Sequence, residues 1–256
     1  MKSAGTRQLI ATVEQTTGYR VVVDTIENID EHAQMISARP ELPVHTIRVN
    51  KAKLRYADYI VASQCAMLLR NWADATRIPV FSPVPEKFRY FTDRIANSKP
   101  LSRLPGTLAQ QTALRLGQGL LNQARSMPFE ILAVRDCWET CPDLHDLQTE
   151  AVEVELRFLS EVFAPKIRAL VPDSIWRSNV SMNAANALNW SELSGSSLAM
   201  LPYESAGFAE TAAKFLGEVK AKSARTTEAY TQLVDAWADQ TNVRSLYKWE
   251  YRNGKL

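Results

Sequence analysis

The sequence has 256 residues, and 46% of them are hydrophobic, which is enough apolar material for one large core or two smaller ones. Its 30 basic and 28 acidic side chains nearly balance, so a charged partner would have to be recognised by a local patch. Three cysteines cannot all pair within one chain, and neither a signal-peptide core nor a membrane-spanning apolar stretch is visible. We therefore expect a soluble cytoplasmic protein.

The first 50 residues predict two helices and two strands. Apolar residues with helical spacing are followed by Gly18, where a helix C-cap would lie. Two short segments are β-branched or alternate apolar with polar residues, as strands do, and Pro40 and Pro43 would end a helix between them. In chain order we predict a helix over 7–17, a strand over 19–25, a helix over 27–38 and a strand over 45–50.

The middle of the chain combines a strongly apolar helix with a proline-rich segment. Residues 56–72 are apolar on nearly all sides, which predicts a buried helix. Five prolines lie between Pro79 and Pro105, and this density is incompatible with a continuous helix. We therefore predict a connector there, with at most short helical pieces.

The rest of the chain is predicted to be helical until its C-terminal end. At residues 246–252 aromatic and charged side chains alternate, which predicts a strand. We expect this strand to complete the N-terminal sheet. Helices are predicted before it over 108–125, 129–139, 143–163, 167–170, 174–190, 205–223 and 227–240.

These elements predict an α+β fold that is mainly α-helical. Residues 1–78 are expected to form a lobe with a small sheet and one buried helix. Residues 79–105 are the proline-rich connector. Residues 106–256 are expected to form a helical lobe whose C-terminal strand returns to the sheet.

A strand, a short loop and the helix sequence ADYIVASQCAMLLRNW resemble the core of the ImmA/IrrE-like zinc metallopeptidases, over about residues 7–75. In that family the helix carries HExxH, in which two histidines bind zinc and the glutamate is the general base. The resemblance places the ligand positions on Ser63 and Met67 and the base position on Gln64. A hydroxyl and a thioether are poor zinc ligands, and an amide cannot act as the base. It therefore implies a zincin-like lobe whose metal site is lost, and we expect no metal or other cofactor.

Asparagine side chains form a stripe along the predicted helix at 174–190. Asn179, Asn183, Asn186 and Trp190 lie on one face, at positions i, i+4, i+7 and i+11. Because asparagine is a poor helix former, this stripe indicates specific hydrogen-bond partners. Those partners could be the backbone of a bound peptide or ligand, or neighbouring segments of the same protein.

One stretch of the connector is both basic and aromatic. Such a combination can contact phosphates and stack on bases, which is typical of nucleic-acid binding. The alternative is a solvated connector whose aromatic residues pack on the two lobes. The basic residues are Lys87, Arg89, Arg94, Lys99 and Arg103.

Cys137, Cys141 and His145 have the spacing of three metal ligands on one helix face. Pro142 predicts that the helix breaks between them, which would separate the ligands. The alternative is that the cysteines are ordinary buried thiols.

We therefore expect a non-catalytic regulatory or protein-binding module on a degenerate metallopeptidase-like scaffold. The resemblance implies a link to bacterial stress control, mobile elements or defence, and a protein partner. One alternative is a hydrolase that combines Cys65 or His45 with a carboxylate from residues 143–163. The other is a nucleic-acid-binding protein that uses residues 87–103.

Overall fold

The computed structural model describes residues 1–29, 31–72, 77–222 and 225–253. Within these ranges ten α-helices accompany a three-stranded and a two-stranded sheet, which confirms the predicted mainly α-helical α+β class. No helix in the described part of the chain is long and apolar enough to cross a bilayer. Residue 30 of the helix predicted over 27–38 and residue 223 of the one predicted over 205–223 lie outside the described residues.

The elements follow the chain in a simple order. The helices are α1 (Ala4–Thr17), α2 (Ala57–Trp72), α3 (Pro85–Ala96), α4 (Gly106–Thr140), α5 (His145–Ser160), α6 (Pro165–Leu170), α7 (Asp173–Ser194), α8 (Leu201–Ser205), α9 (Ala209–Lys222) and α10 (Thr227–Gln240). The strands are β1 (Arg20–Ile26), β2 (Ala33–Ile36), β3 (Val44–Asn50), β4 (Arg77–Pro83) and β5 (Tyr247–Asn253).

The N-terminal sheet has β3 at its centre, between β1 and β2. β1 pairs with β3 in parallel and β2 pairs with it antiparallel. The helix predicted over 27–38 is therefore wrong, because residues 33–36 form β2. This short segment gains a ladder of backbone hydrogen bonds at the edge of β3, and that tertiary pairing outweighs local helix preference.

The C-terminal strand does not join this sheet, contrary to the prediction. β5 pairs antiparallel with β4 and forms a separate two-stranded sheet. Aromatic side chains explain the choice of partner. The Phe81 ring stacks on Tyr247 with 4.0 Å between centroids, and Trp249 meets the same ring edge-on at 5.5 Å. Asp235 of α10 then accepts hydrogen bonds from the Tyr247 hydroxyl at 2.5 Å and the Trp249 indole at 2.9 Å.

The predicted connector contains a regular helix, α3, so the expectation of short helical pieces is also wrong. Pro85 lies in the first turn of α3, where a backbone N–H has no partner within the helix and proline is tolerated. The other four prolines of the segment lie in β4 or beyond the end of α3. The prolines therefore border the helix without interrupting it.

The predicted helices at 108–125 and 129–139 are one continuous helix, α4, with Pro128 inside it. Proline removes one backbone hydrogen bond from a helix, but Pro128 and its neighbour Phe129 are buried in the core. Tertiary packing therefore holds the helix together across this residue. The break predicted at Pro142 is confirmed, because a short 3-10 turn over Pro142–Leu144 separates α4 from α5.

Two hydrophobic clusters form the core, and α4 and α7 contribute to both. The first joins the N-terminal sheet, α1 and α2 to the C-terminal part of α4, to α5 and to α7. The second joins the N-terminal part of α4 to α9 and α10. Met67, Leu159 and Leu188 pack against both clusters. The proline-rich segment therefore does not separate two independent cores.

Candidate functional site

The α2 positions that the resemblance assigns to a lost zinc site lie within helix packing. Ser63, Gln64 and Met67 are half-buried, and residues on either side of them are fully buried. The Gln64 amide contacts the Met67 thioether, with 3.9 Å between Nε2 and Sδ. In the described residues no group of three His, Cys, Asp or Glu side chains could hold a metal ion. At two of the three positions, Gln64 and Met67, the neutral side chains therefore contact each other.

A pair of half-buried carboxyl groups lies close to α2, and sequence reasoning did not single it out. Burial, together with the charge of Glu130 on α4, raises the pKa of Glu155 on α5 to about 7. Burial also raises the pKa of Glu130 and that of Tyr59 on α2. A signal in the sequence could have indicated Glu155, because it lies between the apolar residues Val152 and Leu156. Both of these residues are buried in the structure.

The asparagine stripe of α7 makes internal hydrogen bonds, as one of its two predicted interpretations expected. Asn179 donates to Gln123 of α4 at 2.7 Å, and Gln123 donates to Asn183 at 2.6 Å. Asn183 also donates to the Leu159 carbonyl of α5 at 3.4 Å, and only 1% of its surface is exposed. This network joins α4, α5 and α7.

The other two residues of the stripe are also buried. Asn186 is almost completely enclosed, and Trp190 packs edge-on against Trp138 with 5.3 Å between ring centroids. The indole nitrogen of Trp190 has no hydrogen-bond partner within the described part of the chain. Asn183, Asn186 and Trp190 are therefore shielded from a partner approaching through solvent, while Asn179 is half-buried.

The cysteines and histidines proposed for metal binding or hydrolysis are also part of the packing, and of these His145 is half-buried. Cys65, Cys137 and Cys141 are free and fully buried, and burial raises the pKa of Cys65 to about 12. Neutral thiols are poor nucleophiles and poor ligands. Cys141 follows the end of α4 and His145 begins α5, so the three candidate ligands do not share one helix.

Both candidate histidine rings make hydrogen bonds to other residues of the protein. The buried His45 ring accepts a hydrogen bond from the Ala38 amide at 3.0 Å and bonds to the Thr17 hydroxyl at 3.1 Å. His145 stacks on Trp138 with 3.9 Å between centroids, and its Nε2 donates to the Trp138 carbonyl at 2.7 Å. These contacts connect neighbouring elements of the core.

The basic stretch at 87–103 is divided by the geometry of α3. Lys87 and Arg94 are seven residues apart, which places them on one face of the helix, and both line surface cavities. Arg89 lies on another face and lines neither cavity. Lys99 and Arg103 follow the helix, are exposed and also lie outside both cavities.

The larger cavity has a volume of about 720 Å³ and lies between α3, α7, α9 and the end of α10. Three cations reach it, Arg94 from α3, Arg177 from α7 and Lys214 from α9, and none of the described residues that line it is acidic. Its apolar surface is formed by Phe91, Ile95, Leu120, Ile175 and Phe215.

Six hydroxyl groups complete this cavity, and they differ in their hydrogen bonds. Ser98, Ser181 and Thr241 each donate to a backbone carbonyl of their own helix or turn. The hydroxyls that make no hydrogen bond to another described residue are those of Ser174, Ser178 and Thr211.

The three cations differ in their present partners. Arg177 pairs with Asp173 at 2.8 Å and Lys214 pairs with Glu210 at 2.9 Å, both in exposed ion pairs. Exposed pairs of this kind contribute only about 0–1 kcal/mol, so a ligand can compete with them. Arg94 makes no ion pair with any described carboxylate, and its guanidinium lies 6.0 Å from the centre of the Tyr90 ring.

A smaller cavity of about 360 Å³ adjoins the larger one and shares Phe91, Arg94 and Asn242 with it. Lys87, Tyr90 and Leu246 line it, and Glu86 is the acidic residue among its described lining. Tyr90 as a whole residue is 67% exposed. We call the two cavities together the α3 cleft, and Arg94 lies where they meet.

No family model, curated protein or solved structure matches this chain.

Sequence reasoning found only part of the α3 cleft. It selected Lys87 and Arg94 but placed them in a connector, where no face could be assigned. Arg177 lies within the same face of α7 as Ser174, Ser178 and Ser181, which have helical spacing, and this was a signal that could have been used. Lys214 carries no local signal, because only the packing of α9 beside α7 brings it to the cavity.

Proposed function

We propose that this protein is a non-catalytic binding module and that the α3 cleft is its binding site for a negatively charged ligand. The observation that carries the proposal is the set of three cations that converge on the larger cavity, whose described lining contains no carboxylate. Positive charge over an apolar surface favours an organic anion, which gains both ionic contacts and burial. The volume of the cavity is within the range that small ligands occupy.

The chemistry of α2 supports the non-catalytic part of the proposal. Where a metallopeptidase would hold zinc and a base, this chain has Ser63, Gln64 and Met67, and the Gln64 amide contacts the Met67 thioether. The alternative hydrolase required Cys65 or His45, and both side chains are fully buried and contribute to packing. A substrate would have to enter the core to reach either group.

The degenerate metallopeptidase-like scaffold is part of the same proposal. It is supported by the order of elements, in which β3 leads through a short 3-10 turn over Lys51–Tyr56 into α2. That is the order of strand and helix that the resemblance implies. A regulatory role in bacterial stress control, mobile elements or defence, with a protein as partner, is proposed on this analogy.

Inorganic pyrophosphate, titrated by calorimetry, tests the proposed binding site. We expect Arg94→Gln to weaken its binding by about tenfold or more, because a charge-assisted contact to the anion is lost. Arg89→Gln is the matched control, since it removes the same charge from another face of α3, and it should bind as the wild type does. Binding should also weaken between about 50 and 500 mM salt. Equal binding by the two variants, or no binding by the wild type, would contradict the proposal.

A further inference from the structure

We infer that the ligand of the α3 cleft is a nucleotide, with its phosphates in the larger cavity and its base against Tyr90 in the smaller one. This inference rests on the proposed function, because it assumes that the cleft binds an anion. It adds the chemical class of the ligand and the direction in which the ligand lies.

The larger cavity has the groups that phosphate oxygens need. Phosphate accepts hydrogen bonds, and a guanidinium donates two of them in parallel to neighbouring oxygens. Arg94 and Arg177 supply two such groups, and Lys214 supplies an ammonium. Serine and threonine hydroxyls that make no hydrogen bond to another described residue lie among them. Because every one of these groups can donate, the cavity suits a multiply charged anion.

The smaller cavity has the groups that a planar base needs. Tyr90 as a whole residue is largely exposed, so one face of its ring can be covered by a second aromatic ring. Base stacking on such a ring strengthens binding by about tenfold. Leu246 adds apolar surface at the same cavity. A ligand without a flat ring would leave this surface uncovered.

The charges determine the orientation of the ligand. Glu86 lines the smaller cavity and repels phosphate there, while the larger cavity has three cations and no described acidic residue. Arg94 lies at the junction and so can contact the phosphates while its guanidinium stays over one face of the Tyr90 ring, and the base can stack on the other face. A phosphate group and a base joined by a sugar fit this arrangement in one direction only.

The same chemistry could come from a free nucleotide or from one residue of a single-stranded nucleic acid, which would continue along the exposed face of α3. Three probes distinguish these sources: inorganic pyrophosphate, ATP, and a fluorescent single-stranded DNA of about 12 nucleotides. ATP binding that is at least as tight as that of the oligonucleotide supports a free nucleotide. Much tighter binding of the oligonucleotide, with a steep dependence on salt, supports a nucleic acid.

Tyr90 provides the decisive variants. We expect ATP to bind more tightly than pyrophosphate, and Tyr90→Ala to weaken ATP or oligonucleotide binding by about tenfold without changing pyrophosphate binding. Tyr90→Phe keeps the ring and should bind as the wild type does. If Tyr90→Ala changes neither ATP nor oligonucleotide binding, or if pyrophosphate binds as tightly as both, the nucleotide inference is overturned while the anion site stands. If none of the three probes binds, both proposals are overturned.

Discussion

Glu155 lies on the inner side of α5, where its neighbours along the helix are the buried Val152 and Leu156. A carboxylate in this position loses hydration and also meets the charge of Glu130, while Lys53 offsets only part of the cost. The folded protein therefore favours the neutral form of Glu155, whose pKa rises from its ordinary 4.5 to about 7. Folding raises the pKa of Glu155, so the folded protein binds this proton more tightly than the unfolded chain does. The contribution of Glu155 to the free energy of unfolding is therefore present in full at low pH and is lost as the pH rises through about 7.

Replacing this carboxyl group should make the protein less sensitive to pH. We expect Glu155→Gln to raise the free energy of unfolding at pH 8 by about 1–3 kcal/mol, because the amide cannot ionise, and to change it little at pH 4.5. Urea unfolding at the two pH values measures this difference. Glu153→Gln, at an exposed position of the same helix, is the control and should behave as the wild type at both. A destabilised Glu155→Gln at pH 8 would show that the charged form is the one the fold favours.

Individual residue types could be interpreted from the sequence where the chemistry depends on the type alone. Ser63 and Met67 could be recognised as poor zinc ligands from their hydroxyl and thioether groups alone. Gln64 could be recognised as unable to act as the base because no packing gives an amide the basicity of a carboxylate. The environment of Glu155 could not be predicted in the same way, since it depends on burial and on the charges of Glu130 and Lys53, which are distant in sequence. For the same reason the sequence left both interpretations of Asn183 open.

Among the elements, α1 shows how close packing fixes the start of a helix. Ser3 caps the helix locally by accepting a hydrogen bond from the Thr6 amide at 3.1 Å. The Asp143 carboxylate, which is distant in sequence, accepts bonds from the Ser3 hydroxyl and from the first amides of the helix, the closest at 2.8 and 2.9 Å. An anion at a helix N-terminus is favourable. The approach of this carboxylate leaves no room for a side chain at Gly5.

The same substitution, glycine to alanine, tests this packing when it is made at a crowded position and at an open one. A Cβ at Gly5 would lie 2.6 Å from an Asp143 oxygen and 2.9 Å from the Cys141 sulfur, so we expect Gly5→Ala to destabilise the protein by about 1–3 kcal/mol. A Cβ at Gly119, in α4, would contact nothing within 4 Å. Gly119→Ala should therefore stabilise by about 0.5–1 kcal/mol. Thermal unfolding compares the two, and equal shifts of Tm would refute the account of α1.

Elements were predicted correctly where the local pattern decides the structure, and wrongly where it does not. Helix α10 was predicted with its observed bounds, because its apolar residues keep helical spacing over 14 residues and no proline interrupts them. β2 and the pairing of β5 depend on partners distant in sequence, so local pattern could not select them. For α3, the number of prolines did not decide the structure, because Pro85 lies in the first helical turn, where proline is tolerated.

For the molecule as a whole, α4 and α7 contribute residues to both hydrophobic clusters. This arrangement positions the elements that form the α3 cleft. α7 contributes to the core through one side, while its Ser174, Arg177 and Ser178 face the larger cavity. α3 and α9 supply the opposite sides, and residues more than a hundred positions apart in the chain thereby meet at one surface. No local pattern in the sequence could have predicted this convergence.

The most direct test of the anion site is a titration of ¹⁵N-labelled protein with inorganic pyrophosphate, followed by NMR. The account predicts that the largest shifts occur in the backbone and arginine side-chain signals of Arg94 and Arg177, with Lys214 nearby, while Arg89 stays unchanged. These shifts should disappear in Arg94→Gln. Shifts concentrated around Ser63 and Gln64 on α2, with those of the α3 cleft absent, would contradict it.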